Sequence, residues 1–200
     1  MRSIGKVFFL LLSMFLFTQS LVANEQQELK KHFLSKIDEV ILIVEDKKLS
    51  KNDRNANIVK ALTPMFDFEL MAKLSLGNRW KELSSTDKKR FVKLYVQRMK
   101  QSYSSKIDAY KDEKVEVKRL EQKKPDRIAL ITDLISKQDK LEIVYKFHKP
   151  KTPIETKDNW LVYDVEIIGV SILKTDIAQF REFLQTKTIT ALMDALSKQS

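Results

Sequence analysis

Residues 85–120 read STDKKRFVKLYVQRMKQSYSSKIDAYKDEKVEVKRL, and the chain changes period within them. Phe91, Leu94, Tyr95, Met99, Tyr103, Ile107 and Tyr110 recur at steps of three and four, the spacing of one helix face. The stripe predicts a helix of about 26 residues, roughly 40 Å long. Ser84-Ser85-Thr86-Asp87 can cap its free N–H groups. The opposite face is basic, with Lys88, Lys89, Arg90, Lys93, Arg98 and Lys100. After Asp112 the period becomes two: Val115 and Val117 alternate with Glu116 and Lys118, as in a half-buried strand.

Downstream of that switch the strand pattern continues. Arg127 to Ile135 (RIALITDLI) is one apolar run, and Leu141, Ile143, Tyr145 and Phe147 alternate with Glu142, Val144 and Lys146. Trp160 to Ser171 reads as one longer strand, bounded by a Pro150/Pro153 loop and by Gly169. Four strands in meander order predict an antiparallel sheet. The chain then returns to helix, with Ile177, Phe180, Phe183 and Leu184, then Ile189, Leu192, Met193 and Leu196. Upstream, Leu29, Phe33, Ile37, Val40, Ile41 and Val44 mark another helix face. Lys47 to Asn57 is polar and opens a second helix near Asp53; Ile58, Val59, Leu62, Met65 and Phe66 continue its pattern until Pro64 bends or breaks it. Asp67 suits the N-cap of a short helix carrying Leu70, Met71 and Leu74, and Gly77 suits its stop. Helices first and strands second predict an α+β domain. A long amphipathic helix laid across a curved sheet encloses a wedge, where an apolar pocket forms.

The N-terminus has a different character. Arg2 and Lys6 bracket a basic start, and Val7 to Phe17 run VFFLLLSMFLF. Such a run is too short for a bilayer, which needs about 20 apolar residues. It matches a cleavable secretory signal over residues 1–23, with cleavage after Ala23 preferred to Ser20. A buried N-terminal helix is the alternative. Residues 24–200 then form a single domain large enough to bury a core. With no cysteine, neither a disulfide nor a lipid-modified cysteine anchor is available. Net charge is +10, or +8 once Arg2 and Lys6 are removed. A secreted chain of that charge meets anionic membrane surfaces and acidic partners, unless the lysines simply confer solubility. Hydrophobic residues at 43% and no low-complexity tract argue against disorder.

Catalytic parts are scarce. No Gly-x-Ser-x-Gly elbow occurs, and Gly77 and Gly169, the only glycines after residue 23, cannot build a phosphate-cradling loop. His32 and His148 lack metal-ligand spacing and are expected at the surface. Asp67, Asp164 and Glu166 lie nearest apolar neighbours, and are expected to cap helices or pair with a base such as Arg79 or Arg181. Aromatics and cations fall on opposite faces of the long helix, which disfavours nucleic acid. No catalytic residue, metal ligand or cofactor is predicted. Apolar volume without a polar constellation suits a monomeric carrier of an apolar ligand. Its lining candidates are Phe68, Met71, Leu74, Tyr95, Met99, Tyr103, Leu130, Ile143, Tyr145, Val165 and Ile167. Trp80 and Trp160 read as structural anchors, while Lys88, Lys89 and Lys93 either attract anionic groups or are merely solvated. Two other classes stay open. A periplasmic chaperone or adaptor would expose its apolar stripe to client proteins. An enzyme would bury Asp164 or Asp133 facing a tyrosine.

One stretch resembles a known family. FDFELMAKLSLGNRWKELS (66–84) carries Phe66, Asp67, Phe68, Met71, Ala72, Leu76, Gly77 and Trp80, and is similar to the MlaC, or toluene-tolerance, family. The run Phe91 to Tyr110 resembles that family's next helix. Trp160, Val162, Tyr163, Asp164, Val165, Gly169, Val170, Ser171, Gln179 and Phe180 resemble its later signature. Thr175, Asp176 and Ile177 stand where the family usually has Asn-Tyr-Arg, so that arginine's contacts are not carried over. The resemblance implies a nuclear-transport-factor-like cone with helices on a curved four-stranded antiparallel sheet. It implies a periplasmic carrier with phospholipid as cargo, serving outer-membrane lipid asymmetry. The implied partners are an outer-membrane lipoprotein–porin complex and an inner-membrane ABC transporter complex.

Overall fold

The computed structural model describes residues 4–108, 113–137 and 139–198, with side chains over 24–99, 113–137 and 139–198. Helices α1 (Ile4–Glu45), α2 (Lys51–Leu62), α3 (Phe68–Leu76) and α4 (Ser85–Asp108) come first. Strands β1 (Lys114–Lys124), β2 (Arg127–Ile135), β3 (Lys140–His148), β4 (Leu161–Ile167) and β5 (Val170–Ser171) follow, then α5 (Ile172–Thr186) and α6 (Ile189–Lys198). The strands pair antiparallel in the order β1-β2-β3-β4-β5, so the α+β meander stands with one strand more than predicted.

The extra strand comes from the run expected to be continuous from Trp160 to Ser171. It folds back at Ile168–Gly169, where both residues take positive φ, 49° and 76°. Two consecutive left-handed residues make a type I′ turn, whose twist matches that of paired strands. Gly169 takes this conformation without strain, whereas a β-branched isoleucine does not.

Most helix ends follow local chemistry. Ser50 Oγ accepts the Asp53 amide and starts α2 two residues ahead of Asp53. Asp67 Oδ1 accepts the Leu70 amide at 2.9 Å, and Gly77 ends α3 at φ 55°. Ser84 Oγ accepts the Asp87 amide before α4, which runs 24 residues. Tyr110 lies outside the described residues, and the Tyr103 side chain does too.

The core has two parts. Met71, Leu76, Phe91, Tyr95, Met99, Phe180 and Met193 are among the buried side chains uniting α3, α4, α5 and α6. Leu29, Phe33, Ile128, Leu130, Phe147, Val162 and Val165 bury the face of the sheet under α1. Phe66 and Ile172 touch both parts, and the Asp67 amide donates to the Val162 carbonyl at 2.9 Å. The helix lying on the sheet is therefore α1, whereas the long α4 was expected there. Each fully buried Phe or Leu in that contact contributes about 1.5–3 kcal/mol. Trp80 and Trp160 are buried, at 8% and 5% exposure.

Candidate functional site

The face of the sheet under α1 is built by strand register. Ile128 sits opposite Phe147, Leu130 opposite Tyr145 and Thr132 opposite Ile143; across the next pair, Ile143 meets Ile167 and Tyr145 meets Val165. Directly opposed residues point to the same face, so these form one apolar row. The Phe33 ring lies 4.8 Å from that of Tyr145 and 6.4 Å from that of Phe147. Near Lys149, the middle of α1 is pinned by the Lys149–Glu25 ion pair and by a Gln26–Gln122 hydrogen bond of 3.2 Å. From there α1 runs toward the start of β3.

Packing loosens along this direction. Leu29, Phe33, Ile128, Leu130 and Phe147 are buried. Ile37, Val40, Ile41 and Val44 on α1 are only half-buried, as are Val115, Val117, Ile143 and Ile167 on the strands. The helix and the sheet thus form a wedge, closed at Phe33 and looser toward Ile37, Ile143 and Ile167. Its polar content is small. The Thr132 hydroxyl donates to the Ile143 carbonyl at 3.0 Å. Tyr145 has no hydrogen-bond partner among the described residues, and burial pushes its phenol up to about 12, so it stays neutral.

The predicted lining residues divide between the two parts of the core. Leu130, Ile143, Tyr145, Val165 and Ile167 come together in the wedge. Phe68, Met71, Tyr95 and Met99 belong to the all-helical part instead. Leu74 is 37% exposed, on the outside of α3. Tyr103 falls outside the described side chains. The helical group parts from the strand group because α4 packs on α3 and α6, leaving the sheet to α1. Phe33, Ile37, Val115, Val117 and Phe147 were missed. Phe147 shares the parity of Ile143 and Tyr145, so alternation alone assigns it to the row. The Leu29–Phe33–Ile37 stripe identifies a buried helix face but not its partner. Among the described residues, three surface clefts measure about 440, 540 and 450 Å³, and none of the eleven lines them.

The acidic residues hold structure together. Asp67 shares a 2.8 Å hydrogen bond with His148, which is buried rather than at the surface. Burial raises the Asp67 carboxyl, but hydrogen bonds from His148 and the Leu70 amide, with His148 and Lys157 nearby, bring it below the ordinary range. Asp164 accepts Ser171 Oγ and the Leu173 amide and pairs with Lys146 at 3.0 Å, which fastens the start of α5 to β4. Glu166 pairs with the same lysine at 2.7 Å. The expected bases Arg79 and Arg181 pair with none of these three. Asp133, also buried, pairs with Lys118 and Lys140 rather than with a tyrosine. The acid that does meet a tyrosine is Asp176, which takes the Tyr95 hydroxyl at 2.7 Å and Arg98 at 2.6 Å. Its second partner is a guanidinium, so the trio is a buried ion pair between α4 and α5. Among the described residues no group of three or more His, Asp or Glu side chains is placed to hold a metal ion.

A family model described as MlaC protein matches residues 35–198. No curated protein matches the chain. Among solved structures, the fold is similar to that of a phospholipid-binding protein from Ralstonia solanacearum, determined in complex with a phospholipid. The TM-score is 0.71 at 13% identity, over 83% of this chain and 93% of that one. At that identity the likeness is one of fold.

Proposed function

The chain belongs to the MlaC family, and from that premise we propose that it is a phospholipid carrier whose acyl chains lodge between α1 and the sheet. The observation that carries this reading is the graded wedge, apolar from Phe33 to Ile167 and loosest toward Ile37, Ile143 and Ile167. A phospholipid crossing water alone exposes two chains of about 16 carbons. At roughly 0.8 kcal/mol per CH₂ that is tens of kcal/mol uphill. A wedge of aliphatic and aromatic side chains exchanges one apolar surrounding for another, so loading and unloading are nearly isoenergetic. No bond is made or broken, and no catalytic group is required. Volume for the chains comes from parting α1 from the strands at its half-buried end.

The finer reading follows the resemblance. Residues 1–23 direct export and are removed, and residues 24–200 act as a monomer in the periplasm. Lipid passes between an outer-membrane lipoprotein–porin complex and an inner-membrane ABC transporter complex, in the service of outer-membrane asymmetry. Native mass spectrometry of the purified chain, with lipid extraction from the same sample, tests the carrier. One phospholipid per chain is expected. A mass without adduct, unchanged after incubation with phospholipid vesicles, would overturn it and leave a chaperone for apolar protein segments as the leading reading.

A further inference from the structure

The turn between β4 and β5 runs against its own stability. Asn-Gly is the preferred filling of a type I′ turn, yet its first position here is Ile168, a β-branched residue at φ 49°. Burial gives nothing in return, since Ile168 is 65% and Val170 61% exposed. Strain held at a tip that is mostly exposed points to function. The register shows where the tip leads. Val170 is directly opposite Ile167, which is opposite Ile143, so all three share the face of Tyr145 and Val165. Exposure rises along that face from Val165 at 8%, through half-buried Ile143 and Ile167, to Val170. The apolar row of the wedge thus continues to the edge of the sheet and ends in water. Charges on the other face of these strands are already matched: Lys118 with Glu142 and Asp133, Lys146 with Asp164 and Glu166. The Ile168 amide is likewise spent on the Glu142 carbonyl at 3.0 Å. What the tip offers a ligand is aliphatic surface.

We propose that Ile168 and Val170 form the lip of the acyl-chain site, the surface over which a phospholipid's chains pass between a lipid layer and the wedge. This rests on reading the chain as a phospholipid carrier. The lip shortens the interval in which methylene groups face water, so it acts on the rate of loading. Ile168→Asn separates this role from folding, because it installs the favoured Asn-Gly turn while removing the aliphatic side chain.

The test follows a phosphatidylglycerol with a fluorescent acyl chain as it moves from phosphatidylethanolamine–phosphatidylglycerol vesicles into the purified chain. Parent, I168N, I168L and V170N are compared, with thermal melting of each. I168N is expected to melt at or above the parent yet load about tenfold more slowly, the factor lost when one aliphatic side chain gains no apolar surrounding. V170N is expected to slow loading similarly, and I168L to keep most of the parent rate. Parent-like loading by I168N, or an equal loss in I168L, overturns the lip while leaving the carrier intact. A parent chain that takes up no lipid overturns both.

Discussion

Asp67 joins three pieces of backbone with one side chain and one amide. Its carboxylate caps α3 and bonds His148 at the end of β3, while its N–H reaches the Val162 carbonyl of β4. Its folded pKa is depressed, so its contribution is complete above the unfolded value near 3.8 and disappears as pH falls through the lower folded value. Urea midpoints are expected to fall as pH drops from about 5 to about 3, and Asp67→Asn should flatten that part of the profile. At neutral pH the same variant keeps a competent cap and loses the bond to His148, a cost of about 1 kcal/mol by urea denaturation. Tyr145 predicts the opposite behaviour. Its hydroxyl has no partner among the described residues, so Tyr145→Phe should leave stability within about 0.5 kcal/mol of the parent.

Between elements, the joint whose removal is expected to cost most is the one between α4 and α5. Asp176 is 2% exposed and holds both Tyr95 and Arg98, while Arg98 also donates to Gln179 and lies over the Phe180 ring at 5.4 Å. Removing Asp176 leaves the Arg98 charge without its carboxylate. Asp176→Leu is expected to cost about 3 kcal/mol, and adding Arg98→Met should recover much of it, a non-additivity that a double-mutant cycle reads directly. The α4 stripe, the α3 cap and the strand meander were legible in the sequence because each depends on residues within a few positions of one another. Asp176 marked a departure from a family pattern, and its partners sit about 80 positions away on another helix, beyond the reach of local spacing. The same limit hid His148 from Asp67. It also hid α1 as the cover of the sheet, since periodicity reports that a face is buried and not against what. Ile168 misled for a different reason: its β-branched side chain signals strand at a position where the backbone turns.

For the whole molecule, lipid and folding are linked. A ligand held only by the folded wedge raises the unfolding free energy by about 2.7 kcal/mol at a hundredfold excess over its dissociation constant. Delipidated and loaded samples should therefore differ in urea midpoint, whereas a ligand bound equally well by the unfolded chain would leave the midpoints together. The contact between α1 and the sheet also has a consequence in time. Phe33 is synthesised roughly a hundred residues before Phe147 and Tyr145, the rings it packs against. At about 5–20 residues per second, its stripe waits some seconds for a surface to cover it. Topology sets that delay, and no substitution in either element shortens it. A circular permutation that places α1 after α6 would let the sheet be made first.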